Sequence, residues 1–76
     1  MSEFNGHKNW NHWNVSLWIN NDEGLYNMAR RALRVYKNKD SAAKAMYEDL
    51  VAIGTDKTPD GAPYSVATIR AAMVDM

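Results

Sequence analysis

The 76-residue sequence contains no cysteine, and only two prolines and four glycines interrupt it. The lack of cysteine excludes a disulfide scaffold and any zinc site built on thiolates, which are common stabilising devices in very small domains. A chain of this length buries only about 60–65% of its unfolded surface, so its stability is marginal without such help. We therefore expect the fold to depend on large side chains, on well-formed helices or on self-association.

Long apolar runs and a net charge of either sign are also lacking. No stretch approaches the roughly 18 apolar residues of a membrane span, and no charged-then-apolar leader opens the sequence, so we expect a cytoplasmic protein without membrane contact. The formal net charge is zero, which argues against a strongly cationic nucleic-acid binder. The charge is nevertheless segregated, because residues 30–44 hold six basic residues and one acidic residue.

Aromatic residues, in contrast, are abundant. Trp10, Trp13 and Trp18 lie within nine consecutive residues, and the chain also has four tyrosines and one phenylalanine. Each indole can remove about 150–250 Å² from water, so we predict an aromatic-rich core. The same residues are enriched at interaction hot spots, and they exceed what so small a core can enclose. We therefore expect one or two of them to reach the surface as contact points.

The first structured segment, residues 10–19, fits two patterns. Trp10, Trp13, Leu17 and Trp18 have the spacing of a helix face, whereas alternate residues from Trp13 to Ile19 nearly follow the pattern of a strand. A cap at Asn9 or Asn11, and the lack of a second strong strand elsewhere, favour the helix. A strand over residues 10–19 stays the alternative.

Three further helices are predicted, over about residues 22–37, 41–53 and 66–75. Their expected caps are Asn21, then Asp40 or Ser41, then Ser65. Gly54 stands where a helix ends in the left-handed conformation, and residues 58–61, Thr-Pro-Asp-Gly, have the chemistry of a turn. The predicted fold is all-α, a compact bundle of about four short helices. Residues 1–8 are expected to form a flexible lead-in and residues 9–76 a single small domain.

Catalytic, cofactor and metal sites are not expected. The two histidines, His7 and His12, are five residues apart and lack further ligands, whereas a helical metal site needs i, i+4 spacing and additional donors. Adjacent carboxylates on a helix point about 100° apart and do not converge on one substrate atom. No nucleophile elbow, catalytic triad order or glycine-rich phosphate loop is present. We therefore do not expect an enzyme.

The basic stretch after residue 29 is the main candidate for a functional surface. Arg30, Arg34 and Lys37 lie within an arc of about 60° on the predicted second helix, so that their charges add in one direction. The competing interpretation is a solvated helix face whose cations favour the negative end of the helix dipole. The predicted interaction surface comprises Arg30, Arg31, Arg34, Lys37 and the aromatic anchors Trp10 and Tyr64.

Residues 13–26, Trp-Asn-Val-Ser-Leu-Trp-Ile-Asn-Asn-Asp-Glu-Gly-Leu-Tyr, resemble a segment of small bacteriophage and mobile-element proteins grouped as a domain of unknown function. The turn at residues 58–61 and the short helix after it are similar to the ends of those proteins. The relatives often carry an Arg-Glu-Thr-like triplet before this segment, whereas Asn11 and His12 stand here. No activity or site residue is implied by the resemblance. It favours stoichiometric binding to a bacterial protein, by analogy with accessory phage proteins.

Three functions follow as hypotheses. The first is a phage-type protein that binds and inhibits a bacterial defence complex of the CRISPR or restriction kind. It would dock through the basic face or through acidic surfaces near Glu48, Asp49, Asp56 and Asp60. The second is a nucleic-acid-binding module that uses the same arginines with modest, salt-sensitive affinity. The third is a homo-oligomeric structural protein or small-ligand sponge, with surplus aromatic residues at the interface between copies.

Overall fold

The computed structural model describes residues 8–74 and 76, which form four α-helices. They are α1 (Trp10–Asn21), α2 (Glu23–Val35), α3 (Lys39–Ala52) and α4 (Val66–Ala72). The prediction of a small all-α bundle is confirmed, and the strand alternative for residues 10–19 is wrong because that segment lies in α1. The lead-in expected over residues 1–8 falls, apart from the exposed Lys8, outside the described residues.

Each helix begins at a polar side chain that accepts a backbone N–H from its first turn. Asn9 caps α1 and Ser65 caps α4, both among the predicted caps. The Ser65 cap is reciprocal, since Thr68 N–H donates to Ser65 Oγ (3.1 Å) and Ser65 N–H donates to Thr68 Oγ1 (2.9 Å). This capping box satisfies two N–H groups that a seven-residue helix would otherwise leave free.

The caps of α2 and α3 differ from the predicted residues. Asp22, not Asn21, caps α2, and its carboxylate accepts the Leu25 N–H at 2.9 Å. Asn21 is instead the last residue of α1, where its side chain donates to the Leu17 carbonyl. The α3 cap is Asn38, which stands before both predicted candidates. In each case several neighbouring residues have capping chemistry, and the chain geometry selects one of them.

The end of α3 and the loop after it follow the predicted backbone chemistry. Gly54 has φ +83°, and the Thr55 N–H donates to the Leu50 carbonyl at 2.9 Å, which completes a Schellman motif. The Gly61 N–H donates to the Thr58 carbonyl at 2.9 Å, so residues 58–61 form the predicted turn. This turn is the tip of a short hairpin, whose arms pair at Lys57 and Pro63.

The four helices pack side by side around one apolar interior. α1 packs against α2 and α4, and α3 packs against the same two helices. The interior combines six alanines with seven larger side chains, which are aliphatic, sulfur-containing or, in one case, aromatic. Its buried apolar residues are Val15, Ile19, Ala29, Ala32, Ala42, Ala43, Met46, Leu50, Ala62, Tyr64, Ile69, Ala72 and Met73.

The prediction of an aromatic-rich core is wrong. Tyr64 is the one aromatic residue in the buried apolar set, while Trp13 and Trp18 are half-buried and Trp10 is 40% exposed. The buried face of α1 carries Val15 and Ile19 instead. An indole N–H needs a hydrogen-bond partner, and Trp18 finds its partner in a surface carboxylate, which holds the ring at the edge of the bundle.

Candidate interaction surface

Basic side chains from three consecutive segments meet where α2 gives way to α3. Arg30 and Arg34 lie one turn apart on α2, Lys37 lies in the connection, and Lys39 is the first residue of α3. They line one depression of about 340 Å³, which we call the basic depression. Its remaining walls are apolar or aromatic and are formed by Leu33, Tyr36 and Met76.

The position of these cations follows from the amphipathic sequence of α2. Ala29 and Ala32 are buried against the other helices, whereas Arg30 and Arg34 lie on the opposite side of α2 and are exposed. Residues four apart share a helix face, which brings Arg30 and Arg34 together. The three-residue connection to α3 then keeps Lys37 and Lys39 close to the end of α2.

Among the described residues that line the basic depression, none has an acidic side chain. Asp40, the one acidic residue between positions 30 and 44, is bound by Arg70 of α4, the sole ion pair within residues 8–74 and 76. Arg30 is held by an aromatic partner instead, since its guanidinium lies 5.9 Å from the centre of the Tyr26 ring. Lys39 Nζ donates to the Val74 carbonyl at 3.0 Å. The depression therefore concentrates positive charge.

The predicted surface residues fall into separate places. Arg30, Arg34 and Lys37 share the basic depression, whereas Arg31 lines a different groove between α2 and α3. Trp10 is exposed at the first position of α1. Lys39 and Tyr36 complete the depression although the prediction did not include them. Lys39 belongs to the same basic stretch of sequence, so its charge could have been used to predict that it joins this surface.

The expectation that Tyr64 is an exposed anchor is wrong. Its side chain is only 4% exposed and lies in the apolar interior. Its backbone N–H donates to the Asp56 carbonyl at 2.9 Å, which fixes it at the base of the hairpin. Burial, and secondly the negative charge of Asp22, raise the pKa of the Tyr64 phenol. The hairpin turns this residue inward, an effect that the local sequence pattern does not reveal.

A polar cluster that sequence reasoning missed attaches the hairpin to α1. The buried Thr58 hydroxyl donates to Asn14 Oδ1 at 2.6 Å, and Asn14 Nδ2 donates to Asp60 Oδ2 at 2.8 Å. Trp18 Nε1 donates to the same carboxylate oxygen at 2.9 Å. These hydrogen bonds, first from Asn14 and then from Trp18, lower the pKa of Asp60. The sequence does not mark Asn14 as buried, since six of the twelve residues of α1 are polar.

The polar cluster includes Asp60, one of the acidic residues predicted from the sequence as an alternative docking surface. The carboxylate of Asp60 is occupied by Asn14 and Trp18, so its principal contacts lie within the chain. Glu48 and Asp49 lie elsewhere, on the α3 wall of the groove in which Arg31 lies. The structure thus offers a basic depression and, separately, a groove with charges of both signs.

The α2–α3 groove is the larger of the two depressions described here, at about 740 Å³. Met28, Ala32 and Ala45 form part of its apolar lining. Val35 at one end and Ile53 at the other are each 66% exposed. Each stands at or just beyond the end of its helix, outside the packed interior.

The described residues contain no group of three His, Asp or Glu side chains placed to hold a metal ion. Across that part of the chain, none of the helices is both long enough and apolar enough to span a membrane. The main chemical features of the basic depression and the α2–α3 groove are charge and apolar area.

The chain was compared with known families, curated proteins and solved structures. No curated protein and no solved structure matches it. One family matches along the whole length, over residues 1–76, and is described as a family of unknown function, DUF7249. The chain belongs to this family of unknown function.

Proposed function

We propose that this protein is a non-catalytic binding protein that docks its basic depression onto an acidic surface of a protein partner. The observation that carries the proposal is the convergence of Arg30, Arg34, Lys37 and Lys39 on one depression whose described walls hold no acidic side chain. Four adjacent cations repel one another and are stabilised when a partner supplies negative charge. Arginine is also enriched at the energetic centres of protein interfaces.

The apolar walls of the depression favour a protein partner. Leu33 and Met76 offer apolar surface beside the cations, and Tyr36 adds an aromatic ring that is 42% exposed. An acidic protein segment with a neighbouring apolar side chain could satisfy both kinds of wall, with the apolar contact at the centre and the charges around it. Such a site needs a complementary protein surface. The small volume of the depression suits one or two anchoring side chains of the partner.

The biological setting is taken from the resemblance to phage and mobile-element proteins. We propose a host bacterial protein as the partner and stoichiometric inhibition as the outcome, with a nucleic-acid-handling defence complex of the CRISPR or restriction kind as the target class. Such complexes bind nucleic acid through basic surfaces, so an acidic patch on one of them would be a docking site apart from the nucleic-acid path.

The test is a double charge reversal with a matched control. The partner is first identified by pull-down from the bacterial host, and its affinity is then measured by calorimetry with purified components. Arg30→Glu with Arg34→Glu is expected to weaken binding by about 100-fold or more, since two attractions become repulsions. Lys44→Glu with Lys57→Glu changes the net charge equally at exposed positions outside the depression and is expected to retain most of the affinity.

Two further measurements make the result decisive. Far-UV circular dichroism of both variants is expected to match the parent chain, because all four residues are exposed. Inhibition of the purified target should follow the measured affinity at a one-to-one ratio. Parent-like affinity of the folded Arg30→Glu, Arg34→Glu chain would overturn the role of the depression.

Nucleic-acid binding is the second candidate, favoured by the same uncompensated cations. Four phosphate contacts would give a slope of about −3.6 in a plot of log affinity against log salt for duplex DNA. Affinity would then fall by roughly 100-fold between 50 and 200 mM salt. Absence of a mobility-shift complex at low salt would exclude this candidate.

A further inference from the structure

The α2–α3 groove adjoins the basic depression, since Tyr36 lines both, but its other lining residues differ and carry their own pattern of shape and charge. α2 and α3 pack together and are joined by three residues, so they run in roughly opposite directions. One end of the groove therefore holds Val35 on α2 and Ala45 on α3. The other end holds Gly24 on α2 and Ile53 beyond α3.

Large and small residues alternate between the two walls. Val35 and Ile53 are each 66% exposed, and each stands at the same end of the groove as a small residue on the opposite wall, Ala45 or Gly24. A protruding apolar side chain on one wall thus faces a low point on the other. A binding surface of this kind accepts a partner with the reverse arrangement.

The charges follow the same reversed arrangement. Arg31 lies midway along the α2 wall, and Glu48 and Asp49 lie midway along the α3 wall. No ion pair joins the two walls within the described part of the chain. The groove therefore has one basic and one acidic wall, both unpaired across it.

We infer that the occupant of this groove is the same groove of a second copy, related by a twofold axis that runs along it. Rotation about that axis lays α2 of one copy over α3 of the other without reversing the ends. Arg31 then meets Glu48 and Asp49 of the second copy, and the reciprocal contact forms at the same time. Val35 and Ile53 meet the small residues at Ala45 and Gly24 of the second copy.

The charge pattern is what selects a second copy over an unrelated helix. Only a surface with an acidic wall opposite the basic one, at the same spacing, neutralises both walls at once. The chain itself is such a surface. Rotation about an axis across the groove would instead bring Arg31 of one copy near Arg31 of the other, which like-charge repulsion disfavours. Self-association would also add burial that a chain this small otherwise lacks.

The experiment is sedimentation velocity of the full chain over a wide concentration range, with two charge variants measured alone and mixed. The parent chain is expected to form a concentration-dependent dimer. Arg31→Glu alone, and Glu48→Arg with Asp49→Arg alone, should each raise the dimer dissociation constant by about tenfold or more, because two attractive contacts become repulsive. An equimolar mixture of the two should dimerise again, since both contacts between unlike variants are attractive.

The control variant is Lys57→Glu, an equal charge reversal at an exposed residue that lines neither the groove nor the basic depression and should leave dimerisation unchanged. A monomeric parent chain would overturn the inference, even if a partner helix were later found in the groove. Failure of the mixture to restore the dimer would overturn the proposed axis and pairing. Because Arg30→Glu tests the basic depression and Arg31→Glu tests the groove, each proposal can fail without the other.

Discussion

Individual polar side chains determine how the hairpin is held, and Asp60 is central to this. Its carboxylate sits at a turn tip and accepts hydrogen bonds from an amide on α1 and an indole on α1. Asn14, the amide donor, is buried and also accepts from Thr58, so its hydrogen bonds are satisfied by the hairpin alone. Three side-chain hydrogen bonds thus connect residues that lie 42, 44 and 46 positions apart in sequence.

Asp60→Asn is expected to change how stability depends on pH. The hydrogen bonds from Asn14 and Trp18 lower the folded-state pKa of Asp60, so its contribution is present above the unfolded value of about 3.9. That contribution is lost as pH falls through the folded pKa. The free energy of unfolding, measured by urea denaturation from pH 6 to 2, should therefore fall more steeply for the parent than for Asp60→Asn.

The matched neutralisation Asp56→Asn, in the same loop, accounts for the general loss of one negative charge. A stability difference between the parent and Asp60→Asn that stays constant from pH 6 to 2 would contradict the role assigned to the carboxylate.

The sequence shows which residues of the hairpin and α1 are polar, but it does not show which of them contact one another. The Thr-Pro-Asp-Gly turn was predictable because Pro and Gly act locally, whereas the bond from Asp60 to α1 depends on tertiary packing.

The helices show which features act locally and which depend on the whole fold. The C-terminal end of α3 was predictable from Gly54, and the N-terminal end of α4 was predictable from Ser65. A left-handed glycine and a capping serine both act within a few residues. The inward face of α1 was not predictable, because every side of that helix carries apolar residues and two periodicities compete. The position of α4 against α1 decides that Val15 and Ile19 are buried.

Gly54→Ala tests the local control of the α3 end. A Cβ at this position would meet no heavy atom within 4 Å, so the expected cost is conformational only. A left-handed alanine costs roughly 1–2 kcal/mol, which chemical denaturation can resolve. Gly54→Asn should lose less, because asparagine tolerates this conformation better. Equal stability of Gly54→Ala and the parent would contradict the Schellman motif.

At the scale of the whole molecule, four short helices enclose a small interior and leave the larger aromatic side chains at its edge. Alanines at the helix contacts allow close approach, so the interior has little room for indoles. The aromatic composition alone predicted indoles inside the core. It gives the apolar area of these side chains but not the positions of the hydrogen-bond partners of their N–H groups. Tyr64 is the exception, and the hairpin places it inward.

The same packing creates the two proposed binding surfaces. The spacing of Arg30, Arg34 and Lys37 was readable from the helix period, so their shared face was predictable. The ion pair by which Arg70 of α4 binds Asp40 was not predictable, because it depends on tertiary packing. The α2–α3 groove could not be predicted at all, because it arises where Val35 and Ile53 extend past the packed interior.

Hydrogen–deuterium exchange of the protein, alone and with its purified partner, tests the central proposal most directly. Binding through the basic depression is expected to slow exchange of the backbone amides over residues 30–39, with smaller changes elsewhere. The same experiment with Arg30→Glu, Arg34→Glu should show no such protection. Protection confined to the hairpin or to α1, with residues 30–39 unchanged, would contradict docking through the basic depression.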